Sequence, residues 1–342
     1  MAKTETVICA ESAASPSLEP LSLLVAAEMQ QVNSLILDRM QSDIPLIPTL
    51  AGHLVAAGGK RMRPMLALAA ARLCGADAKG REQAALLAAS VEFIHTATLL
   101  HDDVIDESAL RRGNQTANAI WGNEASVLVG DFLFARAFEL MVETGDINVL
   151  GRLARASSRI TEGEIQQLLI AGKPETAWQH YLEVIIGKTA ELFAAAAETG
   201  AMVSGGTVPQ SEAMREYGMA LGIAFQITDD ALDYAADQEQ LGKTVGDDFS
   251  EGKITLPVML AYADGTTEEQ AFWQRCLGEG KTGSDDLEQA QQILARHDGI
   301  GRALVKAVEY AEKAATCLED MPAGQPRDAL ADAAAFAASR AR

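Results

Sequence analysis

The sequence predicts a single all-α domain built as a helical bundle. Three observations carry this. Apolar residues recur at helical spacing through most of the chain, and no segment alternates at period two for long enough to read as sheet. Hydrophobic residues make up 48% of the chain and aromatics only 5%, with Pro rare and placed near segment ends, a balance that favours packed helices. No linker or internal repeat divides the 342 residues, so one large domain over 21–342 behind a flexible N-terminal tail at 1–20 is the simplest account.

The helices follow in order. Leu24, Met29, Val32, Leu35 and Ile36 mark one over about 21–40, and Pro45 and Pro48 punctuate the connection after it. Another leads to Gly58-Gly59-Lys60-Arg61-Met62-Arg63-Pro64. Two glycines free the backbone, three cations follow, and Pro64 falls where a first helical turn tolerates it. This stretch reads equally as a basic turn capping a helix and as an anion cradle. Further helices are expected at 65–73, 84–101, about 125–141, 150–170, 190–197, 214–229, from Pro257 onward, and at 327–342. The longest apolar run, Ala84 to Leu100, is broken by Glu92 and His95 and falls just short of membrane-spanning length, so it reads as a buried core helix.

A formal charge of −20 excludes a general nucleic-acid surface and disfavours an anionic membrane face. Any anionic substrate must be met by local cations or by metal. Cys9, Cys74, Cys276 and Cys317 are scattered, with neither zinc spacing nor a disulfide framework; thiols in a reducing cytoplasm are the default. Residues 1–20 carry Lys3, Glu5, Glu11 and Glu19 and no apolar core, so they do not read as a secretory signal.

The chemistry gathers where apolar helices end. Asp102, Asp103 and Asp106 close the 84–101 run, and Asp102 and Asp106, four apart, share a helix face. Hard oxygens crowded this way suit Mg²⁺, which takes one or two carboxylates plus substrate phosphates. Alone, such a pair is most often a solvated helix end. Here the acids follow a run too apolar for a surface, and the pattern recurs at Asp229, Asp230 and Asp233. Lys60, Arg63, Arg111, Arg112, Lys188, Lys243 and Lys253 supply cations to an otherwise acidic chain. In a bundle, facing helices build one shared site. A diphosphate fits both sets, and the apolar surroundings call for hydrocarbon on the rest of the substrate.

These motifs are similar to those of a known family. G-G-K-R-x-R-P, E-F-I-H, L-L-H-D-D-x-x-D-x-x-x-x-R-R-G, G-K-T, F-Q-x-x-D-D-x-L-D and L-G-K occur in order between Gly58 and Leu260. The chain resembles the trans (E)-isoprenyl diphosphate synthases of the long-chain type that includes octaprenyl and decaprenyl diphosphate synthases. The resemblance implies an all-α fold around a central cavity, a homodimer, and Mg²⁺-dependent condensation of isopentenyl diphosphate onto an allylic diphosphate such as farnesyl or geranylgeranyl diphosphate. It implies that Asp102, Asp106 and Asp229 bind metal, with Asp103, Asp230 and Asp233 beside them. Arg111, Lys188, Lys243 and Lys253 face the allylic diphosphate; Lys60, Arg63, His95 and Arg112 face isopentenyl diphosphate; Thr189 and Gln226 lie near the allylic carbocation. A lone His in an apolar helix is usually a satisfied core residue, and it is the resemblance that places His95 at a phosphate.

In short-chain members a bulky aromatic four or five positions before the first Asp closes the cavity. Those positions here hold Thr98 and Ala97, which implies a long product, with Phe132, Phe134, Phe138 and Met141 as candidate floor residues. A terpene cyclase would replace the second cluster with an N-S-E-like triad and lack the G-G-K-R site. A non-catalytic subunit of a heteromeric synthase would lose an acidic motif, and a membrane prenyltransferase would need several spans. A shorter-chain, geranylgeranyl-type synthase is the alternative nearest to hand. A role in building a quinone side chain fits the long-chain reading.

Overall fold

Helices make almost all of the regular structure in the computed structural model, which describes residues 16–56, 58–111, 113–235 and 246–340. The order is α1 (Glu19–Leu24), α2 (Ala26–Arg39), α3 (Leu46–Ala56), α4 (Met62–Leu73), α5 (Ala78–Ile105), a short hairpin of β1 (Leu110–Arg111) and β2 (Asn114–Gln115), α6 (Ala117–Trp121), α7 (Asn123–Glu143), α8 (Ile147–Ile170) and α9 (Trp178–Ile185). Then come α10 (Glu191–Val203), α11 (Val208–Ala235), α12 (Asp247–Ser250), α13 (Leu256–Asp264), α14 (Thr267–Trp273), α15 (Asp286–Arg296), α16 (Gly299–Thr316) and α17 (Gln325–Ser339).

The central helix is α5. Asp77 caps its start, the side chain accepting from the Gly80 N–H at 2.8 Å. It packs against α2, α4, α7 and α10, and α11 packs against α10, α16 and α17. Its 28 residues correct the expectation that this run falls short of spanning length. What marks it as a core helix is burial: 72% of its most apolar stretch lies inside the fold. A single helix over about 21–40 was also expected. The chain instead breaks at Val25, which ends α1 and starts α2, with Leu21 and Val25 both buried.

Between α9 and α10 the helix widens into a π-turn at Ile186–Ala190. Such turns are rare and cluster at functional sites. Glycine lets neighbouring helices close on this one. A side-chain carbon at Gly163 of α8 would fall 2.5 Å from the backbone N of Lys188, and one at Gly222 of α11 would fall 2.5 Å from the Ala190 Cα. The π-turn is thereby clamped between α8 and α11.

Candidate active site

The first aspartate cluster occupies the last turn of α5. Asp103 is fully buried, and its Oδ1 accepts from Arg111 Nε at 2.8 Å and Nη2 at 2.7 Å. The hairpin carries Arg111 back onto the helix: Leu110 and Arg111 pair with Gln115 and Asn114. Among the described residues Asp103 Oδ2 and Asn118 Oδ1 are buried with no hydrogen-bond partner, although Asn118 Nδ2 donates to the Asp103 carbonyl at 3.1 Å. Asp106 accepts from Lys253 Nζ at 2.9 Å, and the same ammonium pairs with Glu251. Burial works to lower the Lys253 pKa, but Asp248, Asp106 and Glu251 outweigh it and hold the group charged. Lys188 bonds Glu164 of α8 at 2.8 Å. Burial pushes Asp102 up to about 7, opposed by Lys188 and reinforced by the charges of Glu164 and Asp106.

The second cluster lies in the last turns of α11. Asp229 meets Arg340 Nη1 at 2.7 Å. Arg340 also donates to the Phe225 carbonyl at 3.0 Å and stands 3.9 Å over the Phe225 ring, leaving its side chain 8% exposed. Asp230 accepts from Tyr181 Oη at 2.6 Å and from Gln226 Nε2 at 2.7 Å, and Gln226 Oε1 accepts from Thr189 Oγ1 at 2.7 Å. Burial and the charge of Asp248 push Asp230 up to about 8, against the hydrogen bonds from Tyr181 and Gln226. Asp233 Oδ2 accepts from the backbone N–H of Asp248 at 3.0 Å.

The segment from Asp247 to Lys253, α12 and the turn after it, joins the two clusters. Its Asp248 N–H holds Asp233 and its Lys253 ammonium holds Asp106. Both clusters therefore face one site.

The basic group comes together at the start of α4. Arg63 Nη1 lies 3.2 Å from His95 Nε2, and its guanidinium sits 4.3 Å over the Phe193 ring. Phe193 packs on Phe225 with ring centroids 5.5 Å apart, so a row of Arg63, Phe193, Phe225 and Arg340 runs from this group to Asp229. Lys60 Nζ stands 5.2 Å over Phe336 of α17. Arg61, the third cation of the glycine stretch, is left-handed and turned onto Glu92. Arg112 and Lys243 lie outside the described residues.

Ala97 is fully buried on the same helical face as Ser90 and His101, which touch α7 through the Ala137 and Val127 carbonyls. Thr98 is half-buried, its hydroxyl donated to the His95 carbonyl at 2.9 Å. The expected floor residues separate. Met141 belongs to the buried face of α7 with Val129, Leu133, Ala137 and Leu140, whereas Phe132 and Phe134 are half-buried and Phe138 is exposed. Phe138 is thus corrected to the outer side, because the face of α7 that meets α5 is set by Ser126, Gly130, Leu133 and Ala137.

Reading the sequence missed Tyr181, Glu164, Asp248, Phe193, Phe225 and Arg340. Tyr181 stood seven positions before Lys188, two turns along, and that spacing was its one signal. Among the described residues no three acidic, His or Cys side chains form a ready-made metal cage. The donor set still fits a hard divalent cation arriving with phosphate: the available groups are carboxylate oxygens, and burial raises Asp102 to about 7, a cost that a bound cation would offset.

Comparison with known proteins identifies the family. The polyprenyl synthetase family model matches residues 44–294. Octaprenyl diphosphate synthase of Escherichia coli (strain K12) is 43% identical over 326 residues, 95% of this chain and 100% of the relative. The all-trans-nonaprenyl-diphosphate synthase (geranyl-diphosphate specific) of Rhodobacter capsulatus is 40% identical over 316 residues, 92% of this chain and 96% of the relative. Among solved structures, the polyprenyl synthase of Caulobacter crescentus CB15 complexed with calcium and isoprenyl diphosphate superposes with TM-score 0.92 at 52% identity, covering 96% of this chain and 99% of that one. Fold, clusters and relatives together show that the chain belongs to the polyprenyl synthetase family and is a trans-prenyltransferase with the all-α isoprenoid synthase fold.

Proposed function

We propose that the enzyme extends an allylic diphosphate, farnesyl or geranylgeranyl, with successive isopentenyl diphosphates to a product of forty to fifty carbons, for a quinone side chain. The observation that carries the site is the segment from Asp247 to Lys253, which engages both aspartate clusters. Asp102, Asp106 and Asp229 would hold Mg²⁺, which when bound supplies charge neutralisation to the leaving diphosphate. Arg111, Lys188 and Lys253, with Lys243, hold the allylic diphosphate. Lys60, Arg63 and His95, with Arg112, hold isopentenyl diphosphate through charge-assisted hydrogen bonds.

The allylic C–O bond breaks, its electron pair leaving with the diphosphate. The double bond of isopentenyl diphosphate attacks the allylic carbon, and a proton then passes to the departed diphosphate. Thr189 and Gln226 turn oxygen dipoles toward the developing positive charge. The apolar wall excludes water that would capture it. The product runs along α5 past Thr98 and Ala97, whose small side chains offer no aromatic stop.

The outer face of α7 supports a homodimer. Leu128, Phe138 and Val142 are 67%, 38% and 62% exposed along one helix, a stripe that a second copy covers. We place the enzyme in the cytoplasm. The test is to incubate the pure protein with isopentenyl and farnesyl diphosphates and Mg²⁺, and to size the dephosphorylated product. Chains of forty to fifty carbons are expected. A product that stops at twenty overturns the long-chain assignment.

A further inference from the structure

The hydrogen bonds around Asp230 form a directed row. Tyr181 Oη donates to Asp230 Oδ2 at 2.6 Å, Gln226 Nε2 donates to Asp230 Oδ1 at 2.7 Å, and Thr189 Oγ1 donates to Gln226 Oε1 at 2.7 Å. Tyr181, Thr189 and Asp230 are buried and Gln226 is half-buried, so water does not readily replace a lost partner. Asp106 and Asp229 meet cations, whereas both oxygens of Asp230 are taken by uncharged donors.

The direction of the row matters. A glutamine amide has an oxygen end and an N–H end of nearly equal size, and only its partners decide which end points where. With its NH₂ donating to Asp230 Oδ1, Gln226 presents oxygen to Thr189. Thr189 then spends its one hydrogen on that oxygen and has only lone pairs left for anything else. The π-turn makes this possible by sending neighbours to different helices: Lys188 bonds Glu164 on α8, and Thr189 bonds Gln226 on α11. The polarity of the row is therefore set at its Asp230 end. Tyr181 is the other donor at that end, on the second oxygen of Asp230.

We propose that Tyr181 is a positioning residue for prenyl transfer. Its hydroxyl holds Asp230 so that Asp230 fixes the Gln226 amide, and through it Thr189, with oxygen rather than N–H offered to the allylic carbons. This rests on the prenyl-transfer reading above.

Two measurements on the full-length enzyme test it, and one needs no turnover. In the first, Tyr181→Phe is combined with Gln226→Ala in a double-mutant cycle. Tyr181→Phe alone should lower kcat about 10- to 100-fold, the range for partners that orient reacting groups, with the KM for isopentenyl diphosphate unchanged. In the Gln226→Ala background it should cost nothing further, because the two act through one row. In the second, the side-chain NH₂ of Gln226 is followed by NMR of glutamine-labelled protein. Its exchange protection should fall in Tyr181→Phe and persist in Tyr217→Phe, a control that removes another buried phenol, one bonded to the Leu330 carbonyl.

Wild-type kcat in Tyr181→Phe, additive losses in the cycle, or equal loss of protection in Tyr217→Phe overturns the proposal. Should Tyr181→Phe not fold, Asp230→Asn keeps the shape but replaces one of the two accepting oxygens with an NH₂ donor, and is read the same two ways, with wild-type values again overturning it. Absence of turnover in the wild type sinks the prenyl-transfer reading, and the exchange experiment still decides the orientation of Gln226.

Discussion

The two aspartate clusters look alike in sequence and differ in how the fold uses them. In each, the middle residue is buried and serves a neighbour. Asp103 grips the cation Arg111, while Asp230 grips the neutral amide of Gln226. In each, an outer residue meets a cation, Lys253 at Asp106 and Arg340 at Asp229. The helices behind the clusters differ too. Four positions before Asp102 stands Thr98, and four before Asp229 stands Phe225, its ring between Phe193 and Arg340. The α5 side thus orients charge and has no aromatic stop, whereas the α11 side orients neutral dipoles and is walled by aromatics. On the proposed reading, a repeated D-D-x-x-D motif mixes metal ligands with positioning groups, and the buried middle residues Asp103 and Asp230 are the positioning ones.

The largest effect should separate those two roles. Asp102→Ala or Asp229→Ala is expected to lower kcat by about 10²- to 10³-fold or more, as for loss of a main electrostatic stabiliser. The fold should persist, because a crowded carboxylate has been removed. Asp103→Asn should instead loosen Arg111, raising the KM for the allylic diphosphate with a smaller loss of kcat. Steady-state kinetics on the three variants checks this. Full activity in either alanine variant breaks the two-cluster site.

Next in size is product length, which probes the unblocked side. Ala97→Phe should shorten the product to about fifteen to twenty carbons while sparing the first condensation, because each further unit gains about 0.8 kcal/mol per buried methylene-sized group only while space remains. The α11 side predicts the contrast: Phe225→Ala should not lengthen the product. Wild-type length in Ala97→Phe means that the chain does not pass this residue.

A smaller effect should mark the basic group at α4. Arg63→Ala is expected to raise the KM for isopentenyl diphosphate about 10- to 100-fold, in line with loss of a charge-assisted bond to phosphate. The KM for farnesyl diphosphate should change far less. Equal changes in both break the division of the cations into two sets.

What was legible in the sequence was local contrast. Acids at the end of an apolar run, glycines before cations and helical spacing of Leu and Ala all lie within a few residues of one another. What was not legible was pairing across the fold. Tyr181 and Asp230 are 49 positions apart, and Lys253 and Asp106 are 147 apart. Adjacent residues such as Asp102 and Asp103 point about 100° apart on a helix. Which of them is buried against a neighbour was decided by where Arg111 and Asn118 pack. Arg340 reaches Asp229 only because α17 folds back over α11, which no spacing near residue 340 announces.

The smallest expected effect is the dependence of metal-free stability on pH, and it joins the clusters again. Asp102 is raised to about 7 and Asp230 to about 8, both first by burial. An unfolded aspartate ionises near about 3.9. Below that value both carboxyls are protonated in both states and folding carries no penalty. As pH rises, the unfolded chain gives up its protons while the folded one keeps them, so the stability from these groups declines until each folded pKa is passed. From about pH 4 to about pH 8 the melting temperature of the metal-free protein should therefore fall, at the usual few degrees per kcal/mol for a chain of this size, and then level off. Asp102→Asn should remove the part of the fall that ends near 7 and Asp230→Asn the part that ends near 8. On the proposed reading, in which Asp102 is a metal ligand and Asp230 is not, Mg²⁺ with diphosphate should flatten the Asp102 part first and leave the Asp230 part, whose oxygens stay on Tyr181 and Gln226. If metal abolishes both parts equally in calorimetric melts, Asp230 is a ligand after all, and the division between ligand and positioning aspartates fails at the second cluster.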